Sequence, residues 1–140
     1  MTTRSIQLTR IVLLVLIPLA MGAIACQPED LGFGVGDLPT GDAARGAQIF
    51  DQSINGASSC SACHAVSGGA KSGPSLENYG AMAADRVKDQ DAETYTFYSI
   101  LRPAKHIVQG YSNVMPSDYA EKLSRQDSAD LIAYLVRLNT

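Results

Sequence analysis

Cys60-Ser61-Ala62-Cys63-His64 concentrates most of the reactive side chains of this sequence in five residues. Two cysteines three apart, with histidine immediately after, form the pattern C-x-x-C-H, which reads as covalent attachment of a c-type haem. Residues i, i+3 and i+4 share one face of a helical turn, so a single turn can present two sulfurs and an imidazole together. The sulfurs of Cys60 and Cys63 would add to the haem vinyl groups as thioethers, and His64 would ligate iron from the proximal side. Three other chemistries compete. Structural zinc needs four ligands, commonly with a second C-x-x-C or a histidine pair, and only Cys26 and His106 are left over. A thioredoxin-like redox pair expects a βαβ setting, and no strand–helix–strand alternation is visible. A plain disulfide leaves His64 without a role.

The second iron ligand must come from Met82, Met115 or His106, the candidates after the attachment motif. A thioether is a soft, neutral ligand that raises the reduction potential. Met115 is the best placed, in a loop before the last helix, where Pro116 stiffens the chain and keeps Met115 out of helical geometry. His106 would give a bis-histidine iron of lower potential, and Met82 sits in a short helical segment close to the motif. With both axial positions filled, iron keeps no open site. No Ser/His/Asp set, carboxylate pair or phosphate-binding loop offers another activity. Gly32-x-Gly34-x-Gly36 follows no strand and is not a nucleotide fingerprint.

Helices separated by long loops must hold these residues. A first helix is expected from Thr40 or Asp42 to Asn55-Gly56, with an acidic residue at its N-terminal turn. Gly46 inside it costs about 1 kcal/mol relative to Ala, which suggests that another backbone passes close by. Ser67 to Pro74 is loop by composition, and Leu76 is the first apolar residue beyond it that could reach a haem face. A short helical turn is expected within Gly80 to Lys88. Asp91 caps a helix through Leu101, with Tyr95, Tyr98 and Leu101 on one stripe, ended by Pro103. Ala104 to Ala120 reads as a second long loop carrying His106, Tyr111 and Met115. Ser124 and Asp127 form a variant capping box, after which Leu131, Tyr134, Leu135 and Leu138 fall on one helical face. No segment reads as alternating with period two, so the expected domain is all-α.

The chain has 140 residues, enough for one domain plus an extension. A domain of about 100 residues buries a modest core, and with no Trp and three Phe a covalently held macrocycle would fill the centre. Removal of the first 25 residues leaves 9 basic against 14 acidic residues. That balance, without a basic run, argues against nucleic acid as a partner.

Met1 to Arg10 carries two positive charges, and Ile11 to Ala25 is an uncharged stretch of 15 residues, too short for a comfortable membrane span. Residues 1–25 therefore read as a secretory signal. Ala23-Ile24-Ala25 fits ordinary cleavage. A small residue before Cys26 also resembles the bacterial lipoprotein signal, although Ala23 stands where that signal more often has leucine. Diacylglycerol on Cys26 gives this lone cysteine a role, and two acyl chains suffice for stable anchoring. An uncleaved signal anchor and a free N-terminal thiol are the alternatives. Residues 26–40 contain Pro28, Gly32, Gly34, Gly36 and Pro39 and read as a flexible linker, leaving 41–140 as the domain.

From residue 41 to 140 the chain resembles the class I cytochromes c. The resemblance rests on Gly41-Asp42 with Gly46 and Phe50, Cys60-Ser61-Ala62-Cys63-His64, Gly73-Pro74-x-Leu76, Met115-Pro116, and Asp130-Leu131-Ile132-Ala133-Tyr134-Leu135. It implies a single covalent haem c and first and last helices that cross at Gly46, Phe50 and Tyr134. It also implies that the Pro74 carbonyl accepts a hydrogen bond from the proximal imidazole, fixing the ring. Pro74, Leu76 and Tyr111 join Cys60, Cys63, His64 and Met115 as cofactor-binding candidates. The segment from Ser99-Ile100 through Pro103, Ile107-Val108, Gly110-Tyr111 and Met115-Pro116 is similar to cytochrome c domains of bacterial respiratory complexes. A small monohaem lipoprotein also resembles the cytochrome subunit of the quinol-oxidising alternative complex III.

The expectation is a membrane-tethered electron carrier on the outer, periplasmic face of the bacterial cytoplasmic membrane. It would exchange electrons with redox proteins and have no small-molecule substrate. The rivals are a fixed subunit of a multi-haem complex and a haem-based sensor or peroxidase with a vacant distal site.

Overall fold

The computed structural model describes residues 30–139. The signal segment 1–25, Cys26 and the start of the linker lie outside the described residues. Among the described residues five α-helices follow one another: α1 (Ala43–Asp51), α2 (Tyr79–Ala83), α3 (Ala92–Leu101), α4 (Tyr119–Lys122) and α5 (Arg125–Leu135). Short 3-10 turns cover Val35–Asp37, Cys60–Ala62 and Pro103–Lys105. Among the described residues there is no strand, only one isolated bridge between Ile54 and Ala57. The all-α expectation holds. None of the described helices is long and apolar enough to cross a membrane.

The caps read from the sequence set the helix starts. The Asp42 carboxylate accepts from the backbone N–H of Ala44 at 2.8 Å, and Asp91 accepts from Thr94 N–H at 2.7 Å. Ser124 and Asp127 form the reciprocal box that opens α5, the Ser124 hydroxyl accepting from Asp127 N–H and the Asp127 carboxylate accepting from Ser124 N–H. Each such cap satisfies backbone donors that a helix start leaves without partners.

The frame is the crossing of α1 and α5. A Cβ added to Gly46 would lie 2.8 Å from Tyr134 Cβ and closer still to the Asp130 carbonyl oxygen. Only glycine lets the two backbones come so near. Gly41 has the same relation to Ala129 and Ala133. One turn beyond Gly46, Phe50 packs on Tyr134 with ring centroids 5.7 Å apart. The core beneath the crossing is built from Phe97, Leu101 and Leu131, all essentially without solvent contact.

A polar clamp sits on the same crossing. Asp130 is fully buried, and its carboxylate accepts from Asp42 N–H at 2.7 Å, from Gln126 Nε2 at 2.8 Å and from the Arg45 guanidinium. Arg45 also reaches Asp127 at 2.5 Å. Burial alone would raise both carboxyls. For Asp130 the hydrogen bond from Asp42 N–H, then those from Arg45 and Gln126, outweigh it and hold the group below the usual range. Asp127 is held low in the same sense by Ser124 and Arg45. A carboxyl depressed in the folded state stabilises above its unfolded value, about 3.9, and that contribution is lost as pH falls through the folded value. Stability should therefore be flat from neutrality to about pH 5 and fall increasingly below about pH 4. Thermal melts across this range should show a shallower fall for Asp130→Asn, which cannot titrate there.

Three boundaries differ from the sequence expectation. α1 ends at Asp51, not at Asn55-Gly56. Asn55 and Gly56 instead adopt φ of 50 and 78° in a tight turn closed by Ala57 N–H to Ile54 O at 2.7 Å, a left-handed geometry that suits this pair. Within the expected loop 104–120 a further short helix, α4, begins at Tyr119. The largest correction concerns the linker: Leu31, Phe33, Val35 and Leu38 pack against the core. The Phe33 ring meets Phe97 edge-on, with centroids 5.6 Å apart, and Arg125 lies over its face at 4.5 Å. Residues 31–38 form a strap on the domain, because burying these apolar side chains outweighs the freedom of the glycines between them.

Candidate functional site

The C-x-x-C-H motif forms one tight turn. Cys63 N–H and His64 N–H both donate to the Cys60 carbonyl, at 3.1 and 2.9 Å. Neighbouring elements fix the chain leading into it. The Tyr119 hydroxyl on α4 donates to the Ser58 carbonyl at 2.9 Å, Asn55 Nδ2 to the Lys122 carbonyl at 2.9 Å, and Lys122 Nζ to the Gly56 carbonyl at 3.0 Å. The helix absent from the sequence reading is thus the brace of the attachment loop.

His64 is held from two sides. Its Nδ1 lies 2.8 Å from the Pro74 carbonyl oxygen. A carbonyl can only accept, so Nδ1 carries the proton and the Nε2 lone pair is left for a metal. The ring face rests on Gly73, where an added Cβ would come within 2.6 Å of Cε1 and 2.9 Å of Nδ1. The loop closes on the motif through Gly73 N–H to Cys63 O at 2.9 Å and Leu76 N–H to Ala65 O at 2.8 Å. Glycine for contact and proline for its carbonyl give each half of Gly73-Pro74 a separate task.

A cleft of roughly 280 Å³ opens in front of this turn, and its walls are mainly apolar. It is lined by all seven cofactor-binding candidates on the domain: Cys60, Cys63, His64, Pro74, Leu76, Tyr111 and Met115. Of the alternatives to Met115, His106 also reaches the cleft, from an exposed position with its ring edge against Tyr95. Met82 does not line the cleft; its sulfur faces Arg86 at 4.0 Å. Cys26, the lipid-attachment candidate, lies outside the described residues.

The arrangement fits a covalent haem and not its competitors. Burial pushes the Cys60 thiol up to about 11, so it is not the thiolate that a thiol–disulfide redox pair requires. Among the described residues no three His, Cys, Asp or Glu side chains converge on a possible metal site of the kind structural zinc would use. Two thiols at the rim of an apolar cleft, with an imidazole nitrogen free and a glycine cradle beneath the ring, suit a flat macrocycle bound by its edge.

Two groups at the site carry no signal in the motifs. Tyr79, buried on the cleft wall, shares a 3.0 Å hydrogen bond with the fully buried Thr96, and burial pushes its phenol up to about 12. Tyr119 is likewise pushed up to about 12, chiefly by burial and then by the neighbouring Cys60. Both phenols stay neutral and act as wall and brace.

Terminal helices locked through glycine around a cleft, with the attachment turn on its rim, are the demands that class I cytochromes c meet. Comparison with known proteins agrees. The sequence model of the family described as cytochrome c matches residues 43–139. The cytochrome c of Tetrahymena pyriformis is 34% identical over 109 residues, which cover 70% of this chain and 90% of that protein. The chain belongs to the cytochrome c family, holds one covalently attached haem c and transfers electrons.

Proposed function

We propose that this chain is a monohaem electron carrier tethered by diacylglycerol on Cys26 to the outer face of a bacterial cytoplasmic membrane, with His64 and Met115 as the two axial ligands. The observation that carries the electron-carrier reading is the cleft lined by His64, Met115 and both cysteines together. When bound, haem c supplies a one-electron ferric–ferrous couple. The protein's own part is to hold that centre still and dry. Pro74 and Gly73 fix the His64 ring so that Nε2 faces the cleft, and the bond from Nδ1 increases the basicity of the ligand. Met115, stiffened by Pro116, lines the same cleft and would supply a thioether ligand, which favours the reduced state. Leu76, Ile100 and Leu135 line the cleft with hydrocarbon and keep water from its centre. With His64 and Met115 both holding the iron, no ligand position would be left for a substrate, and the bound group would supply electron exchange alone.

The tether rests on the signal-like segment before Cys26 and on the absence of any other use for that cysteine. The partners are redox proteins of the same membrane, a quinol-oxidising complex of the alternative complex III type among them. Carbon monoxide added to the reduced holoprotein should leave its spectrum unchanged; rapid formation of a carbonyl adduct would support a sensor or peroxidase instead. Intact mass of the protein from its native membrane should show a diacylated N-terminus, and an unmodified cleaved terminus would remove the tether. Migration as a small species after detergent extraction fits a carrier, whereas retention in a large assembly would make the chain a fixed subunit.

A further inference from the structure

Asn55-Gly56 turns the chain between α1 and the attachment motif, and of the four asparagines in the sequence only Asn55 precedes a glycine. Both residues are exposed, with Asn55 at φ 50° and Gly56 at φ 78°. Gly56 N–H finds no acceptor among the described residues, and a Cβ built on Gly56 would meet nothing within 4 Å. The peptide nitrogen after Asn55 is therefore bare, with neither a partner nor a side chain to shield it. The other asparagines differ. Asn78 shares the left-handed conformation, at φ 55°, but the following Tyr79 is buried and its N–H donates to the Leu76 carbonyl at 3.1 Å. Val114, after Asn113, is β-branched and its N–H donates to the Ser112 carbonyl at 2.9 Å. Thr140, after Asn139, is β-branched as well. Asn55 is also a fastener: its Nδ2 donates to the Lys122 carbonyl at 2.9 Å, and Lys122 Nζ returns to the Gly56 carbonyl at 3.0 Å.

We infer that Asn55 is a self-modification site: it deamidates through a cyclic imide with Gly56, and the product unfastens α4 from the attachment loop. The Gly56 nitrogen attacks Asn55 Cγ, its proton passing through solvent to the departing Nδ2, which leaves as ammonia. Water then opens the imide. Cleavage of the new bond leaves aspartate, and cleavage of the original peptide bond leaves the chain running through Cγ as isoaspartate. The balance is one water taken up and one ammonia released, with no change of oxidation state. In either product the donor to the Lys122 carbonyl is gone and an oxygen stands against an oxygen. Isoaspartate also adds a carbon to the main chain inside the turn that Ala57 N–H closes on Ile54 O at 2.7 Å. Ser58, whose carbonyl receives the Tyr119 hydroxyl, follows directly on the buried Ala57. The change reaches the attachment loop by two routes, along the chain and through α4.

The test keeps purified holoprotein in warm, mildly alkaline buffer over several weeks. Peptide mapping by mass spectrometry, with enzymatic methylation of isoaspartyl residues, should find the amide-to-acid mass increase at Asn55. It should exceed that at Asn78, Asn113 or Asn139 by roughly tenfold or more, since a bare glycine nitrogen competes with shielded ones. The modified fraction gains a negative charge and separates by ion exchange. In it the Lys122 and Leu123 amides, which donate to the Asp118 and Tyr119 carbonyls, should exchange hydrogen roughly fivefold faster, the factor that one lost hydrogen bond represents. Asn55→Asp makes the aspartate product directly; it should show the same exchange and melt about 4–8 °C lower. Asn55→Gln should give no product in the same time, because its longer side chain must close a larger ring. Absence of product at Asn55 in the holoprotein would overturn the site, and product formed only by the same chain unfolded in urea would show that the turn guards the asparagine instead. Product at Asn55 with unchanged exchange at Lys122 and Leu123 would overturn the unfastening.

Discussion

Gly46→Val should destabilise the holoprotein by about 3 kcal/mol, the upper end of what overpacking costs, and lower its unfolding midpoint by roughly 10–20 °C. The clash is with the Asp130 backbone carbonyl and Tyr134 Cβ, neither of which can turn aside as a flexible side chain would. Relief requires α1 and α5 to separate. Separation would pull Asp42 N–H and Arg45 away from the buried Asp130 carboxylate and part Phe50 from Tyr134. The control is Gly36→Val, where an added Cβ meets nothing within 4 Å and φ is not in the left-handed region. Its effect should stay within about 0.5 kcal/mol, as for an ordinary surface substitution. Denaturation followed at the haem absorption band measures both. Equal stability of the two variants would mean that the crossing does not limit the fold.

Met115→Ala should remove the weak near-infrared sulfur-to-iron band entirely and open the distal side to carbon monoxide. It should also lower the reduction potential on the order of 100 mV, within the range of about 0.8 V that axial ligands span. His106→Ala should retain the band, because His106 lies exposed with its ring edge on Tyr95. Absence of the band from the wild type, or its persistence in Met115→Ala, would exclude Met115 as the ligand. Potentiometric titration and near-infrared spectroscopy of the two variants decide the point.

What the sequence revealed and what it hid follow from the range of the interactions involved. The attachment turn is legible because its chemistry is local: two sulfurs and a ring within five residues need only one turn. The caps at Asp42, Asp91 and Ser124 are legible for the same reason, since each closes on N–H groups two or three residues away. Asp130 is different. Its partners Asp42 and Arg45 lie 88 and 85 positions away, and its importance appears only when α1 and α5 are laid across each other. Phe97 is missed because α3 is buried on more than one side, with Tyr95, Thr96, Phe97, Ile100 and Leu101 all inside, so a single stripe cannot be read from it. The strap did carry a signal. Leu31, Phe33 and Val35 alternate with Gly32, Gly34 and Gly36, which puts three large apolar side chains within five residues. Its glycine content points to a linker and conceals them.

The strap also changes the arithmetic of the leash. Read as a free tether, the chain from Cys26 to Thr40 would span about 50 Å fully extended. With Leu31 already docked on the domain, only Gln27 to Asp30 separate it from Cys26, and five steps of extended chain reach about 17 Å. If Cys26 carries the acyl chains proposed above, the domain has a working radius shorter than its own width. It would meet lipid-embedded partners by two-dimensional search along the membrane and could not reach far into the surrounding compartment. Phe33, wedged between Phe97 and Arg125, is then the knot that sets the length of that leash.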